Sequence, residues 1–184
     1  MTAVTDFLLN RRSEPRLQAP APDKATLEQA FACAARAPDH ALLRPWRYLV
    51  VEGEGLQALG DLFASACSEG STSQEIEKAR HAPLRAPMVI IGIASPTHHP
   101  KVPEVEQVMS AAAGVSFIEL ALQEAGFGVM WRTGSPAYSP VVHQGLGLED
   151  GESIIAFLYT GTVTSEKPAV PRPELSDYVG RWPK

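Results

Sequence analysis

Several features that would fix the class of this protein at once are missing. Only two cysteines occur, Cys33 and Cys67, and they are not a CxxC pair, so neither a disulfide framework nor a thiolate zinc site is expected. Each sits in an apolar helical pattern and reads as a buried thiol in a reducing compartment. No internal repeat or low-complexity tract is present. No apolar run reaches the roughly 18 to 20 uninterrupted residues of a membrane span, and Glu119 interrupts the longest one. The N-terminal stretch MTAVTDFLLNRRSEP has no basic leader followed by a long apolar run, so no secretory signal is expected and the cytoplasm is the expected location. A Gly-x-Ser-x-Gly elbow is absent, and His81, His98, His99 and His143 have no matching Cys or carboxylate ligands in their spacing, which argues against hydrolase and zinc chemistry. Excess positive charge is also lacking. The net charge of −5 argues against nucleic acid or an anionic membrane as partner.

At 184 residues the chain is expected to form one domain, 1–184, with a substantial core. It is organised around Val105 to Gly134. Between Val108 and Leu122 only Ser110, Ser116 and Glu119 are polar, so no broad wet face can be drawn and the helix belongs inside. Small residues from Ser110 to Gly114 allow close approach of backbone or a flat ligand, and Gly126 supplies a C-terminal stop. The alternation from Phe127 to Thr133 reads as a strand ending in a Gly-Ser-Pro turn.

Read in order, Thr2 to Asn10 makes a short helix, and a proline-rich loop runs through Pro22. Asp23 caps a helix that stops at Pro38. Trp46 to Glu52 is a strand, followed by the turn Gly53-Glu54-Gly55. Leu56, Leu59, Leu62 and Phe63 mark an amphipathic helix ending near Gly70, and Ser73 caps another over 74–82. The apolar run Met88 to Ala94 suits a central strand covered on both faces. Ser139-Pro140 opens a short helix reaching Gly145, and Ser153 to Tyr159 is the last strand. From Gly161 the chain is punctuated by proline and is long enough to reach over a neighbouring subunit. Four strands with intervening helices imply an α+β layer protein with a mixed or antiparallel sheet.

The candidate ligand-binding groups are mostly arginines. Residues 1–47 carry seven Lys/Arg against five Asp/Glu, and six of the seven are Arg, the side chain suited to forked recognition of phosphate. Arg11-Arg12-Ser13, where the first helix opens into a loop, could hold a phosphate dianion or be solvated surface. Arg36-Ala-Pro-Asp-His40 with Arg44-Pro45-Trp46 offers a stacking edge and donors, although Asp39 as a helix breaker and His40 as a plain loop residue is an equal reading. Trp131-Arg132-Thr133-Gly134 resembles ligand-facing groups more than core, with an edge strand as the alternative. Gly53 to Ala58 is a loose dinucleotide fingerprint, better read as a simple strand-to-helix turn.

RRS at 11–13, RAPDH…RPW at 36–46, KARHAPLRAP at 78–87 and QEAGFGVMWRTG at 123–134 together resemble the nitroreductase family, in its compact single-domain NAD(P)H-dependent branch. The likeness runs from about residue 6 to 162. It implies an α+β homodimer with FMN in two sites at the subunit boundary. By that resemblance Arg11, Arg12 and Ser13 would grip the phosphate and ribityl side, Trp131, Arg132 and Thr133 would meet the flavin from the same subunit, and Arg36 and His40 would come from the partner. Ala121, Leu122, Gln123, Glu124, Ala125 and Gly126 match where the branch touches NADH or NADPH. In the tail, Lys167 and Arg172 could add charge at the phosphate.

The mechanism so implied is a ping-pong exchange. Hydride passes from NAD(P)H to flavin N5 and then to an electron-poor nitroaromatic or quinone, with Arg132 or Arg36 balancing charge near N1 and no protein acid or base required. The rival readings are a dehalogenase or flavin-consuming enzyme of the same fold, a non-enzymatic FMN-binding or sensory dimer, and a Rossmann protein using Gly53 to Ala58.

Overall fold

The computed structural model describes residues 2–165 and 171–183. Six α-helices and five strands alternate among these residues: α1 (Ala3–Leu9), β1 (Leu17–Gln18), α2 (Lys24–Ala34), β2 (Trp46–Glu52), α3 (Glu54–Ser65), α4 (Ser73–Arg80), β3 (Met88–Ala94), α5 (Glu104–Glu124), β4 (Gly128–Arg132), α6 (Pro140–Gly145) and β5 (Ser153–Val163). The class is α+β, and every strand pairing is antiparallel. β2 pairs with β3, β3 with β5, and β4 and β1 both with β5.

β3 explains the layering. All seven of its residues are buried, and the pleat sends alternate side chains to opposite faces. Val89, Ile91 and Ile93 join Leu56, Leu59 and Phe63 of α3 and Val142 of α6. Met88 and Ile90 join Ala30 and Ala34 of α2 and Val115, Ile118 and Leu122 of α5. Burying each large apolar side chain stabilises by about 1.5–3 kcal/mol. An uninterrupted apolar run is therefore what a strand clad on both faces requires.

α5 lies close against the sheet because glycines let it. A Cβ on Gly92 would stand 2.4 Å from Val115 Cγ2, and one on Gly114 would stand 2.6 Å from the Tyr48 hydroxyl oxygen. α5 is long and apolar enough to cross a membrane by length and composition. Its packing on α2, β3 and β5 accounts for that apolar character as core. The outward side has no wet face: Val105 is 57% exposed and Met109 64%.

Local signals place most element ends. Thr2 and Asp23 cap their helices through Thr5 N–H and Thr26 N–H, and Gly126 takes φ +90° just past α5. Four expectations are corrected. The cap of α4 is Thr72, which forms a capping box with Glu75. Residues 17–18, expected as loop, pair with Val163 and Thr162, so the sheet has a fifth strand and β5 extends past Tyr159. Cys33 is exposed and Cys67 only half-buried, because Ala30 and Ala34 take the inward line of α2 and leave Cys33 at its edge. α2 itself ends at Ala34, well before Pro38. Gly53 to Ala58 forms the strand-to-helix turn, with Leu56 in the core.

Candidate functional site

The loop after α1 is held by two side chains one turn apart on α5. Arg11 Nη1–H donates to Glu119 Oε1 at 2.7 Å. Gln123 Nε2–H donates to Arg12 O at 3.0 Å and to Glu119 Oε1 at 3.1 Å, while Arg12 N–H donates to Gln123 Oε1 at 3.4 Å. Residues i and i+4 share a helix face, so Glu119 and Gln123 present one polar ladder in a helix that is otherwise apolar there. Farther along the same loop, Glu14 N–H donates to Val129 O of β4 at 2.8 Å, which ties the loop to the strand that carries the Trp-Arg-Thr motif. Glu119 is 6% exposed. Burying a carboxylate is costly unless partners such as these satisfy its oxygens.

This arrangement brings two predicted motifs together. Arg11 and Ser13 line a cleft of about 460 Å³ with Glu119 and Trp131. Trp131 also lines a larger cleft of about 800 Å³ whose floor is Phe63, Phe157 and Tyr159 and whose edge includes Arg132, Thr133, Lys78 and Arg85. That volume falls in the range of about 300–1,000 Å³ usual for small-molecule sites. Arg132 stands 5.6 Å over the Tyr159 ring, a cation–π contact. Burial pushes the Tyr159 hydroxyl above its ordinary range, and the positive charges of Arg132 and Arg85 pull it back part of the way.

Arg36 and His40 do not line either cleft within one chain. Arg36 is exposed beyond α2. His40 Nδ1 lies 2.9 Å from Glu106 Oε2 at the start of α5. Their loop is strained: Ala41, Leu42 and Arg44 have φ of 65°, 55° and 51°, a left-handed conformation costing on the order of 1 kcal/mol or more for such residues. Asp39 braces it, its carboxylate accepting from Leu43 N–H at 3.2 Å and Arg44 N–H at 2.7 Å. Asp39 is thus more than a helix breaker.

The stretch 121–126 is divided. Ala121, Glu124 and Ala125 line a groove between α1, α2 and α5 beside Cys33 and Phe7. Gln123 and Gly126 line a separate cleft beside Arg12. Neither is lined by Trp131, although the groove shares Leu120, and the separate cleft shares Arg11, with the smaller Trp131 cleft. Leu122 is 0% exposed in the core, so its side chain cannot meet a dinucleotide, and the Gln123 amide is engaged on the backbone of Arg12. Arg172 is exposed, and Lys167 lies outside the described residues.

Sequence reasoning assigned no role to Glu119, Lys78, Arg85 or Tyr159. Glu119 could have been found as the one carboxylate in an apolar helix, and Gln123 four residues on completes that signal. Lys78 and Arg85 lie in the segment 78–87 that carries part of the family resemblance, and nothing local marks Tyr159.

Residues 8–162 match the sequence pattern of the nitroreductase family. The chain belongs to the nitroreductase family. It is 40% identical over 158 residues to the Escherichia coli K12 protein named "Putative NAD(P)H nitroreductase YdjA", covering 85% of this chain and 86% of that one. A Haemophilus influenzae protein named "Putative NAD(P)H nitroreductase" is 37% identical over 165 residues, covering 88% and 89%. Among crystal structures, a nitroreductase-like family protein from Bacillus cereus superposes with a TM-score of 0.88 at 22% identity, covering 100% of this chain and 98% of that one. The FMN- and NADPH-dependent nitroreductase NfnB from sphigopyxis sp. strain HMH gives 0.74 at 22% identity, covering 98% of this chain and 99% of that one. These superpositions establish that the family member described here has a nitroreductase-like fold. Its relatives support an oxidoreductase.

Proposed function

We propose that the chain is an FMN-dependent NAD(P)H oxidoreductase, one domain per subunit, acting as a cytoplasmic homodimer on an electron-poor acceptor by a ping-pong course. The observation that carries this reading is Trp131, an indole shared by two adjoining clefts, one with Arg11 and Ser13 and the other with Arg132 and Thr133. A phosphorylated aromatic ring fits that donor set. Guanidinium and hydroxyl donors suit the phosphate, and a flat wall with a neighbouring cation suits the ring. Bound there, FMN supplies hydride transfer between the nicotinamide donor and the acceptor.

What this chain contributes is binding and charge. Arg11 keeps N–H donors beyond the one spent on Glu119, so it can meet a phosphate while Glu119 fixes its direction. Gln123 holds the Arg12 backbone in place behind it. Trp131 supplies a wall that excludes water from one side, and Arg132 brings positive charge to the ring edge. Thr133 adds a hydroxyl at the exposed end of β4. Holding reactants at about 3–3.5 Å is the rate effect such a site supplies. No side chain is assigned as acid or base.

The dimer is supported by the outward face of α5, where Val105 and Met109 are exposed and Phe117 and Leu120 are half-buried. A second copy covering this face would bring Arg36 and His40 of the partner subunit toward the flavin. The stretch from Ala121 to Gly126 stands as the proposed dinucleotide contact, with Ala121, Glu124 and Ala125 facing the groove between α1, α2 and α5.

Visible absorption of freshly purified protein tests the reading, followed by anaerobic mixing with NADH or NADPH. A flavin spectrum that bleaches on mixing is expected. A colourless protein that fails to take up added FMN would refute it, and a coloured protein that never bleaches would leave binding alone as its role.

A further inference from the structure

The large cleft carries more positive charge than the proposed flavin uses. Lys78, on the last turn of α4, Arg85, just before β3, and Arg132 all line it. None of the three has a carboxylate within ion-pairing distance among the described residues, whereas Arg11, Arg47 and Arg80 each do. Arg132 stands over the Tyr159 ring, and Arg85 lines the same cleft, the positive charges of both acting on the Tyr159 hydroxyl. The one carboxylate on the lining, Glu75, has its Oε2 committed to Thr72 N–H and Thr72 Oγ1–H, both at 2.8 Å. It stays charged, held below the usual carboxylate range first by the Thr72 backbone hydrogen bond and then by the hydroxyl, with Lys78 adding a smaller pull. Three cations against one occupied carboxylate is the reverse of the balance in a chain of net charge −5.

The flavin phosphate has its own donors at Arg11 and Ser13 on the far side of Trp131, and Arg132 is assigned to the ring edge. Lys78 and Arg85 remain. We propose that Lys78 and Arg85 form an anion subsite in the large cleft, selecting a second ligand that bears a carboxylate or phosphate. This rests on the flavoprotein reading above and names the chemistry of the ligand that shares the site. Two sources fit the same chemistry, the 2′-phosphate of NADPH and a carboxylate on an aromatic acceptor. Both cations are exposed and not part of the core, so replacing them leaves the fold intact.

The test uses the flavin-loaded protein and the variants Lys78→Met, Arg85→Met and the double variant. Steady-state kinetics compare NADPH with NADH, and 4-nitrobenzoate with neutral 4-nitrobenzamide. Losing a charge-assisted hydrogen bond should raise KM for the anionic member of one pair about tenfold or more, with its neutral counterpart and kcat within about twofold. A change confined to NADPH assigns the subsite to the dinucleotide, and one confined to 4-nitrobenzoate assigns it to the acceptor. Equal KM values in wild type and double variant across both pairs overturn the proposal. So does a loss of flavin from the variants, which would give these cations to FMN instead. Calorimetric titration of NADP+ and of 4-nitrobenzoate into the same proteins, neither of which donates hydride to the flavin, reads the contrast without turnover. Failure of flavin binding in the wild type would therefore sink the parent function while the titration still decides the subsite.

Discussion

Replacing Glu152 by Gln should remove a clamp across three strand ends. Arg47 of β2 donates to Glu152 through Nε at 2.7 Å and also through Nη2, Ser95 Oγ–H after β3 donates to the same carboxylate, and Glu149 N–H donates at 2.9 Å. The Arg47 hydrogen bond holds the Glu152 carboxyl at about 2, against an ordinary 4.5, with burial opposing and Ser95 assisting. At about 1.4 kcal/mol per pH unit, that depression corresponds to about 3 kcal/mol. The Arg47 side chain is 34% exposed and that of Glu152 7%, so solvent screening brings the expected value to about 2–3 kcal/mol. The folded-state value is the lower one, so the stabilisation is complete above about pH 4.5 and is lost as pH falls toward about 2. Thermal unfolding of the wild type and Glu152→Gln, at equal flavin saturation, should differ by about 4–12 °C at pH 7. The gap should close between about pH 4.5 and 2.5. A gap that is absent at pH 7, or unchanged across that acid range, would refute the assignment.

Gln123→Leu leaves the Arg12 N–H and C=O without the amide that serves both, and should cost about 1–3 kcal/mol of stability and weaken FMN binding measured by fluorescence titration; unchanged affinity would mean that the loop is held elsewhere. Gly92→Ala forces a Cβ against Val115 and should destabilise by about 1–3 kcal/mol in chemical denaturation, with a double variant Gly92→Ala/Val115→Ala recovering part of the loss. Arg36→Ala in one half of a tagged heterodimer should impair one flavin site of two; full occupancy of both would remove the shared-site arrangement.

What could be read directly from the residues was whatever near neighbours decide. The buried helix α5, the fully apolar strand β3, the Asp23 cap, the Gly126 stop and the antiparallel-or-mixed α+β class all follow from periodicity, caps and glycine stops spanning a few residues. The motifs at 11–13 and 131–133 were legible as candidate ligand groups, and their order along the chain made the family legible. Tertiary structure alone decided which groups meet. Glu119 and Gln123 reach a loop more than a hundred residues earlier in the chain, Lys78 and Arg85 come to face Arg132 across one cleft, and Leu17 finds Val163. Such pairings leave no periodic trace, because a side chain's partner across the fold is set by how sheet and helices pack and not by the residues beside it. The same reason put Cys33 outside, since which line of α2 turns inward is chosen by α5, the helix it packs on.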